Sequence, residues 1–157
     1  MADIVDVATR SRMMSGIRAK NTTPEVTLRK GLHSRGFRYR IHATSLLGKP
    51  DLILPKWNAA VFVHGCFWHR HAGCKLSSTP ATRRDFWLDK FAATTERDLR
   101  ALAALQVAGW RTAIVWECQL RGKAIDQTIE DVAAWLSSGR RTAEFPEPPQ
   151  NKLPKKK

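Results

Sequence analysis

Four residues of the kinds that bind metal ions stand out in this sequence. Cys66, His71 and Cys74 lie in one glycine-containing loop after an apolar run, and the third cysteine of the chain is Cys118. Three thiolates and one imidazole complete the tetrahedron that zinc prefers and leave no open position, so such a site is structural. The alternative is that the cysteines are small buried hydrophobic residues. The grouping of ligands in one loop favours zinc, and catalysis must then come from other residues.

Length and composition set the class of protein. With 157 residues and 43% hydrophobic content, the chain is expected to form one globular domain with a sizeable core. No apolar run approaches the roughly 20 residues that span a bilayer, and the amino terminus carries Asp3, Asp6 and Arg10 where a signal peptide would be apolar. The zinc site uses every cysteine, so no thiol is left for a disulfide. We therefore expect a cytoplasmic protein without membrane contact.

The charge of the chain indicates its partner. The sequence has 27 lysines and arginines against 14 aspartates and glutamates, a net charge of +13, and its pI is near 10.4. Some lysines lie in the proline-rich end of the chain, but the rest of the chain remains strongly basic. An excess of this size predicts a polyanionic partner such as nucleic acid. The alternative is a charged surface that serves solubility alone.

The apolar pattern predicts an α/β fold with helices packed on the faces of a sheet. A helix begins after Thr22, because Pro24 lies in its first turn and Glu25 three residues after the cap completes a capping box. The other predicted elements are strands at 37–41, 51–54, 59–64 and 112–116 and helices at 82–108 and 125–136. The apolar face of the long helix is predicted to hold Leu88, Phe91, Ala92, Thr95, Leu99 and Leu102. The first three strands follow one another closely, which suggests a meander.

The sequence also predicts how the chain is divided. A domain is expected over residues 1–140, followed by a disordered tail rich in proline and lysine over residues 141–157. Residues 8–20 form a short, basic, amphipathic helix within the domain. Two placements of this helix remain open, on DNA or against the core.

Several motifs together resemble one nuclease family. In the PD-(D/E)xK superfamily a dipeptide like Pro50-Asp51 opens a metal-binding strand, although the next strand of this chain has neither the usual acid nor the usual lysine. More specific matches lie at residues 8–11, 62–69, 80–83, 109–111 and 115–118. They closely resemble the very-short-patch repair (Vsr) DNA mismatch endonucleases over about residues 1 to 137. The resemblance implies a restriction-endonuclease-like mixed β-sheet flanked by helices.

The resemblance further implies a Mg2+-dependent enzyme that nicks DNA 5′ to the thymine of a T·G mismatch left by deamination of 5-methylcytosine. Asp51 would bind Mg2+ through its carboxylate and Val63 through its main-chain carbonyl, a position where the family more often has threonine. His69 is the implied general base in place of the lysine, since an imidazole suits neutral pH. His64 would support a phosphate or a metal-bound water. Glu25 would hold the water shell of the metal, and its alternative is the capping box.

Aromatic residues are implied to read the mismatch. Phe67 and Trp68 lie between two proposed zinc ligands, and in the family such aromatics, with one matching Trp87, wedge between base pairs beside the mismatch. Unstacking costs least at a mismatch, so a wedge discriminates. The alternative for all three residues is packing in the core. Met14 and Ile17 resemble contacts of the family in the minor groove.

The residues and the resemblance together predict a mismatch-specific DNA nicking endonuclease with one structural zinc and catalytic magnesium. Its partner is double-stranded DNA with a T·G mismatch, other mismatch-repair proteins are further candidate partners, and a monomer is expected. One alternative is a basic, zinc-stabilised module that binds distorted DNA without cutting it, as the missing acid and lysine suggest. A metal-dependent RNA nuclease is supported by charge alone. Asp51 and His69 favour the endonuclease.

Overall fold

A computed structural model of the protein describes residues 21–41 and 45–148. Five strands and three helices of at least three turns form its framework. In chain order these are α1 (Thr23–Ser34), β1 (Arg40–Ile41), β2 (Leu52–Leu54), β3 (Ala59–His64), α2 (Arg84–Val107), β4 (Arg111–Trp116), α3 (Ile125–Leu136) and β5 (Thr142–Phe145). Short 3-10 turns lie at Pro55–Trp57, Glu117–Leu120 and Gly122–Ala124. No helix in these two ranges is long and apolar enough to cross a membrane.

The five strands form one mixed sheet in the order β1-β2-β3-β4-β5. The first three strands are antiparallel neighbours, which confirms the predicted meander. The pairs β3–β4 and β4–β5 are parallel, because α2 and α3 carry the chain back across the sheet between them. The α/β class predicted from the sequence is therefore confirmed at the level of a mixed sheet flanked by helices.

Helices cover both faces of the sheet, and the alternation of side chains along β3 shows the layers. Ala59 and Val61 join the larger core, which α1 and α3 close. Ala60 and Phe62 point the other way and pack with Leu105 of α2. Successive side chains of a strand point to opposite faces, so the next residue on the α2 side is His64. The strand thus places a histidine at the end of its α2 face.

Strand pairing brings distant residues to one edge of the sheet. In the parallel register His64 is opposite Trp116, so Cys66 and Cys118 each follow their strand by two residues on the same side. In the antiparallel register Leu52 is opposite Val61, and the start of β2 therefore lies beside the end of β3. This pairing positions four of the proposed metal ligands, which are Asp51, Val63, Cys66 and Cys118.

The predicted disorder of residues 141–157 is wrong in part. Residues 142–145 were expected in a disordered tail, but they form β5 and pair in parallel with β4. Phe145 is buried in the larger core, and this contact holds a short edge strand whose sequence has little strand character. The predicted helix over residues 8–20, with Met14 and Ile17, lies outside the described residues, as do residues 149–157.

The long helix forms where it was predicted, but the predicted apolar face is wrong in part. Leu88 and Leu99 are exposed. The buried residues of α2 are instead Trp87, Phe91, Ala101 and Leu105. Their spacing continues through positions 94 and 98, where the helix carries Thr94 and Asp98. Polar residues interrupt the stripe because this part of α2 borders the cleft described next.

Candidate active site and metal centre

A cleft of about 650 Å³ opens at the end of β3. Its walls come from the start of α1, the start of β2, the loop after β3 and the middle of α2. Phe67 and Trp68 line one side of it. The residues with ionisable side chains that line it include Glu25, Asp51, His64, His69, Lys90 and Asp98. The structure therefore brings together all four residues that the sequence predicted to be catalytic.

One group in the cleft is a pair of carboxyls. Asp51 accepts a hydrogen bond from the main-chain N–H of Val63 at 2.7 Å. The pKa of Asp51 is raised from its usual 3.8 to about 7, chiefly by burial and in part by the nearby carboxyl of Glu25, although the hydrogen bond from the N–H of Val63 lowers it. Two buried carboxyls that lie close together repel each other when both are ionised, and a cation between them would relieve this repulsion. Val63 also lines the cleft, and carboxylate and carbonyl oxygens are hard donors of the kind that Mg2+ prefers.

Glu25 forms capping contacts, which was one of the two alternatives for this residue, and its carboxyl also lies beside Asp51. Its carboxylate accepts the main-chain N–H of Asn21 at 3.1 Å and the hydroxyl of Thr22 at 3.2 Å. Thr22 in turn accepts the N–H of Glu25 at 3.4 Å, which completes the capping box of α1. The same carboxyl, buried at 5% exposure, lies next to Asp51. The cap therefore fixes the second carboxyl of the pair.

Replacement of Asp51 by asparagine is expected to stabilise the fold at neutral pH while removing the charge of the site. The pKa of Asp51 in the folded protein is above its usual value, so the stability of the wild type is highest at acid pH and falls as the pH rises from about 4 through about 7. Asparagine keeps an oxygen for Val63 and does not titrate. The free energy of unfolding of Asp51→Asn should exceed that of the wild type by more at about pH 8 than at about pH 5, and the two differences should differ by roughly 2 kcal/mol.

Urea unfolding of both proteins in magnesium-free buffer at the two pH values measures this difference. Glu130→Gln, on the outer side of α3, removes an exposed carboxylate paired with Arg35 and serves as the control. A difference between Asp51→Asn and wild type that does not change with pH would contradict the raised pKa.

The second group in the cleft is an imidazole held by a carboxylate. Nδ1 of His69 lies 2.6 Å from Oδ2 of Asp98. An ionised carboxylate can only accept, so Nδ1 donates to it, and in the neutral form of the ring Nε2 then has the lone pair. His69 in this tautomer can accept a proton from a water molecule. Asp98 is the functional residue that the sequence prediction missed.

His64 lies directly against this pair. Its ring stacks on the ring of His69 with a centroid distance of 3.9 Å and an angle of 8°. Burial, with the nearby His69, lowers the pKa of His64 to about 3, so the ring is neutral. The ligand atoms of His64, His69 and Asp98 lie within 4.8 Å of one another, but parallel stacked rings would place a shared ion far out of both ring planes. We therefore interpret His69 and Asp98 as an acid–base pair and His64 as its neutral support.

The four residues of the predicted zinc site meet behind this cleft. Their ligand atoms all lie within 4.8 Å of one another. Nδ1 of His71 is 3.6 Å from the sulfur of Cys66 and 3.5 Å from that of Cys118. Zn–S bonds near 2.3 Å and Zn–N bonds near 2.0 Å set a sulfur–nitrogen distance of about 3.5 Å in a tetrahedron. The spacing of Cys66, His71, Cys74 and Cys118 therefore fits zinc.

Further contacts orient these ligands, as is usual around metal ions. The main-chain N–H of Cys66 donates to Glu117 at 3.1 Å. The ring of His71 stacks on Trp116 at 4.4 Å and 9°. Trp116 donates through its indole N–H to Glu144 of β5 at 2.7 Å. The strand that the sequence missed thus supports a ligand of the predicted zinc site.

The predicted wedge residues belong to one aromatic cluster. Phe67 and Trp68 are partly buried, meet edge to face at 5.1 Å, and both contact Trp87. Trp87 is buried at 8% exposure and packs on Phe91. Packing in the core was the alternative that the sequence left open for Trp87. In this position its ring contacts and supports the rings of Phe67 and Trp68. Phe67 and Trp68 remain accessible from the cleft.

A buried carboxyl pair facing an imidazole–carboxylate pair, beside aromatic rings in a strongly basic chain, is typical of metal-assisted hydrolases that act on nucleic acid. The sequence is similar to known proteins of that class. The family model for DNA mismatch endonuclease Vsr matches residues 2–75. The chain is 42% identical over 148 residues to DNA mismatch endonuclease Vsr of Escherichia coli, an alignment that covers 92% of this chain and 94% of that protein.

Two nicking enzymes are also similar. The type II nicking enzyme V.XorIIP of Xanthomonas oryzae is 45% identical over 76% of this chain and 88% of its own length. The type II nicking enzyme V.NmeAIP of Neisseria meningitidis is 43% identical over 80% of this chain and 89% of its own length. The chain belongs to the DNA mismatch endonuclease Vsr family. It is accordingly a DNA endonuclease of mismatch repair, and its family implies a divalent metal.

Proposed function

We propose that the protein nicks one strand of duplex DNA on the 5′ side of the thymine in a T·G mismatch that arises from deamination of 5-methylcytosine, with Mg2+ as the catalytic ion. The observation that carries the proposal is the pairing of His69 with Asp98 in the same cleft as Asp51 and Glu25. This cleft has a proton acceptor on one side and a set of oxygen donors for a cation on the other. The related nicking enzymes support a cut in one strand.

His69 is the general base of the proposed reaction. Nε2 of His69 takes a proton from a water molecule, whose oxygen bonds to phosphorus as the bond to the 3′ oxygen breaks. The products are a 3′-hydroxyl, which gains its proton from solvent, and a 5′-phosphate. Asp98 holds the tautomer and stabilises the imidazolium that forms, as a carboxylate does in other imidazole bases. The neutral ring of His64 adds no second positive charge next to that imidazolium.

The carboxyl pair is the proposed magnesium site. Asp51 and the main-chain carbonyl of Val63 would hold the ion directly, and Glu25 would hold its water. An ion held there would supply the positive charge that stabilises the phosphate and the leaving oxygen. Because Val63 contributes only its carbonyl, a valine at this position is compatible with the role. The three cysteines and His71 hold a structural zinc in this proposal, since their spacing fits that ion.

The proposed fold assignment is a restriction-endonuclease-like sheet. The mixed order β1-β2-β3-β4-β5 with α2 crossing between β3 and β4 supports it. We place the endonuclease domain through at least residue 145, because β5 belongs to the sheet. The protein is proposed to act as a monomer, with mismatch-repair proteins as further partners.

Phe67 and Trp68 form the proposed wedge, and alanine at position 68 is expected to reduce mismatch preference. Contacts of lysine and arginine with phosphate persist in this variant, so non-specific affinity and its salt dependence should change little. Loss of stacking should lower the preference for T·G over T·A duplex by roughly 1 to 3 kcal/mol. Phe86→Ala, which removes a more exposed ring of the same cluster, is the control. Competition binding with the two duplexes measures the preference, and an unchanged value for Trp68→Ala would exclude the wedge.

A cleavage assay tests the proposed function. Duplexes that differ only in T·G, T·A or C·G at one position are incubated with the protein, with Mg2+ and without added divalent ions. The expected result is that only the T·G duplex is nicked, and only when Mg2+ is present. Binding of the T·G duplex without any cut would instead favour the DNA-binding module, for which the His69–Asp98 pair has no evident task.

A further inference from the structure

The loop between β3 and α2 contains an arginine that the roles above leave unexplained. Arg70 directly follows His69 and has a φ of 56°, a left-handed conformation that is uncommon for residues other than glycine. Its side chain is partly buried and turns back into its own loop. The chain thus accepts an unfavourable backbone conformation where a guanidinium faces inward.

The guanidinium of Arg70 connects the beginning of the loop with its end. Nη1 donates to the main-chain carbonyls of Phe67 at 3.3 Å and Ser78 at 3.0 Å. Nη2 donates to the carbonyl of Ser77 at 2.9 Å and to the hydroxyl of Thr79 at 2.8 Å. The planar fork of arginine suits several acceptors at once, whereas the ammonium of lysine is a point charge with three rotatable donors.

The same group rests on the aromatic cluster. Its central carbon lies 4.0 Å from the ring centroid of Phe91 and 5.8 Å from that of Phe67. Phe67 meets Phe91 edge to face at 5.1 Å. Arg70 thus contacts both the carbonyl and the ring of Phe67 and joins them to α2. The same helix carries Asp98, which orients His69.

We propose that Arg70 is a positioning residue for mismatch recognition: it holds Phe67, and with it Trp68, in the orientation that enters the DNA beside the mismatch. The proposal rests on the proposed function for the identity of the DNA target. Arg70 does not serve as a phosphate contact, because its guanidinium is already committed to four acceptors of its own loop and to the ring of Phe91. Its effect on recognition therefore passes through Phe67.

Two substitutions separate geometry from charge. Arg70→Lys keeps the charge and loses the fork, and Arg70→Gln loses both. Each is expected to lower the preference for T·G over T·A duplex by between about 5-fold and about 150-fold, the range for loss of one stacking contact. Zinc content and the salt dependence of non-specific binding should stay at wild-type values. Arg83→Gln is the matched control, since Arg83 also has a positive φ and stacks on a phenylalanine, Phe86, at 4.5 Å, and it should keep the preference.

The double variant with Phe67→Ala tests whether Arg70 acts through Phe67. Residues that act through one contact are not additive, so Arg70→Lys should cause no further loss of preference once Phe67 is alanine. Additive losses would overturn the proposal. Three other results would also overturn the proposal. They are a wild-type preference for T·G in Arg70→Lys, a salt slope lowered by about one phosphate in Arg70→Gln, and loss of zinc in either variant.

Hydrogen exchange of the DNA-free proteins tests whether Arg70 holds its loop, whichever DNA the protein recognises. Exchange over residues 67–79 should be faster in both Arg70 variants, with exchange in α3 unchanged. Unchanged protection of the loop would overturn the positioning role even where the wild type prefers T·G. Absence of any T·G preference in the wild type would instead count against the proposed function, and the exchange result would still decide whether Arg70 holds the loop.

Discussion

Alanine in place of His69 is expected to slow nicking of a T·G duplex by about 10²- to 10⁴-fold, the usual contribution of a general base. Within the described residues His69 has the imidazole whose Nδ1 a carboxylate holds at 2.6 Å, which leaves Nε2 to accept the proton of the attacking water. Mismatch binding should be largely kept, because the aromatic rings and the basic surface do not depend on this group. Single-turnover nicking and competition binding measure the two effects separately.

His33→Ala is the matched control, because His33 is an exposed histidine at the end of α1 and lies outside the cleft. Asp98→Asn should reduce nicking to a similar extent. An amide can donate to Nδ1 and so favours the tautomer whose Nε2 carries the proton. A His69 variant slowed only twofold would point to another base. Full activity of Asp51→Ala, for which loss of nicking is expected, would contradict the carboxyl site.

Serine in place of Cys118 is expected to remove zinc and to lower the free energy of unfolding by about 3 kcal/mol or more, since ligand loss is among the few single changes with effects of that size. Cys118 follows β4, whereas the other three ligands lie in the loop after β3. A zinc ion at this site would therefore link the loop that carries His69 to the neighbouring strand. Elemental analysis of the wild type should find about one zinc per chain.

The control for this prediction is the wild type itself, stripped with a chelator and then returned to zinc. Chelation should reproduce the loss of stability seen in Cys118→Ser, and added zinc should restore the wild type and not the variant. A wild-type protein that contains no metal and keeps its stability would contradict the zinc site.

Local patterns in the sequence were sufficient for much of the fold. The capping box at Thr22 and Glu25 marks the start of α1. The absence of glycine and proline between Thr82 and Gly109 marks α2. The buried run 59–64 predicts β3 because residues covered on both faces are apolar along the whole strand. Each of these signals depends only on neighbours in the chain.

Two features that depend on distant contacts were not predicted. Asp98 lies 29 residues from its partner His69, and in the sequence it is one acid among several on a polar helix. The available signal was its place on the stripe through Phe91 and Ala101, where an acid interrupts buried positions. β5 has a short, mixed sequence next to prolines, and its strand state depends on pairing with β4 and on the burial of Phe145.

The position and the end groups of a single cut test the proposed function most directly. A duplex with one T·G mismatch, labelled on the thymine strand and in parallel on the guanine strand, is incubated with the protein and Mg2+, and the products are sized and tested for end groups. The proposed specificity predicts one nick, in the thymine strand immediately 5′ to the thymine, with a 3′-hydroxyl and a 5′-phosphate. A cut in the guanine strand, a break of both strands, or equal cutting of a T·A duplex would contradict it.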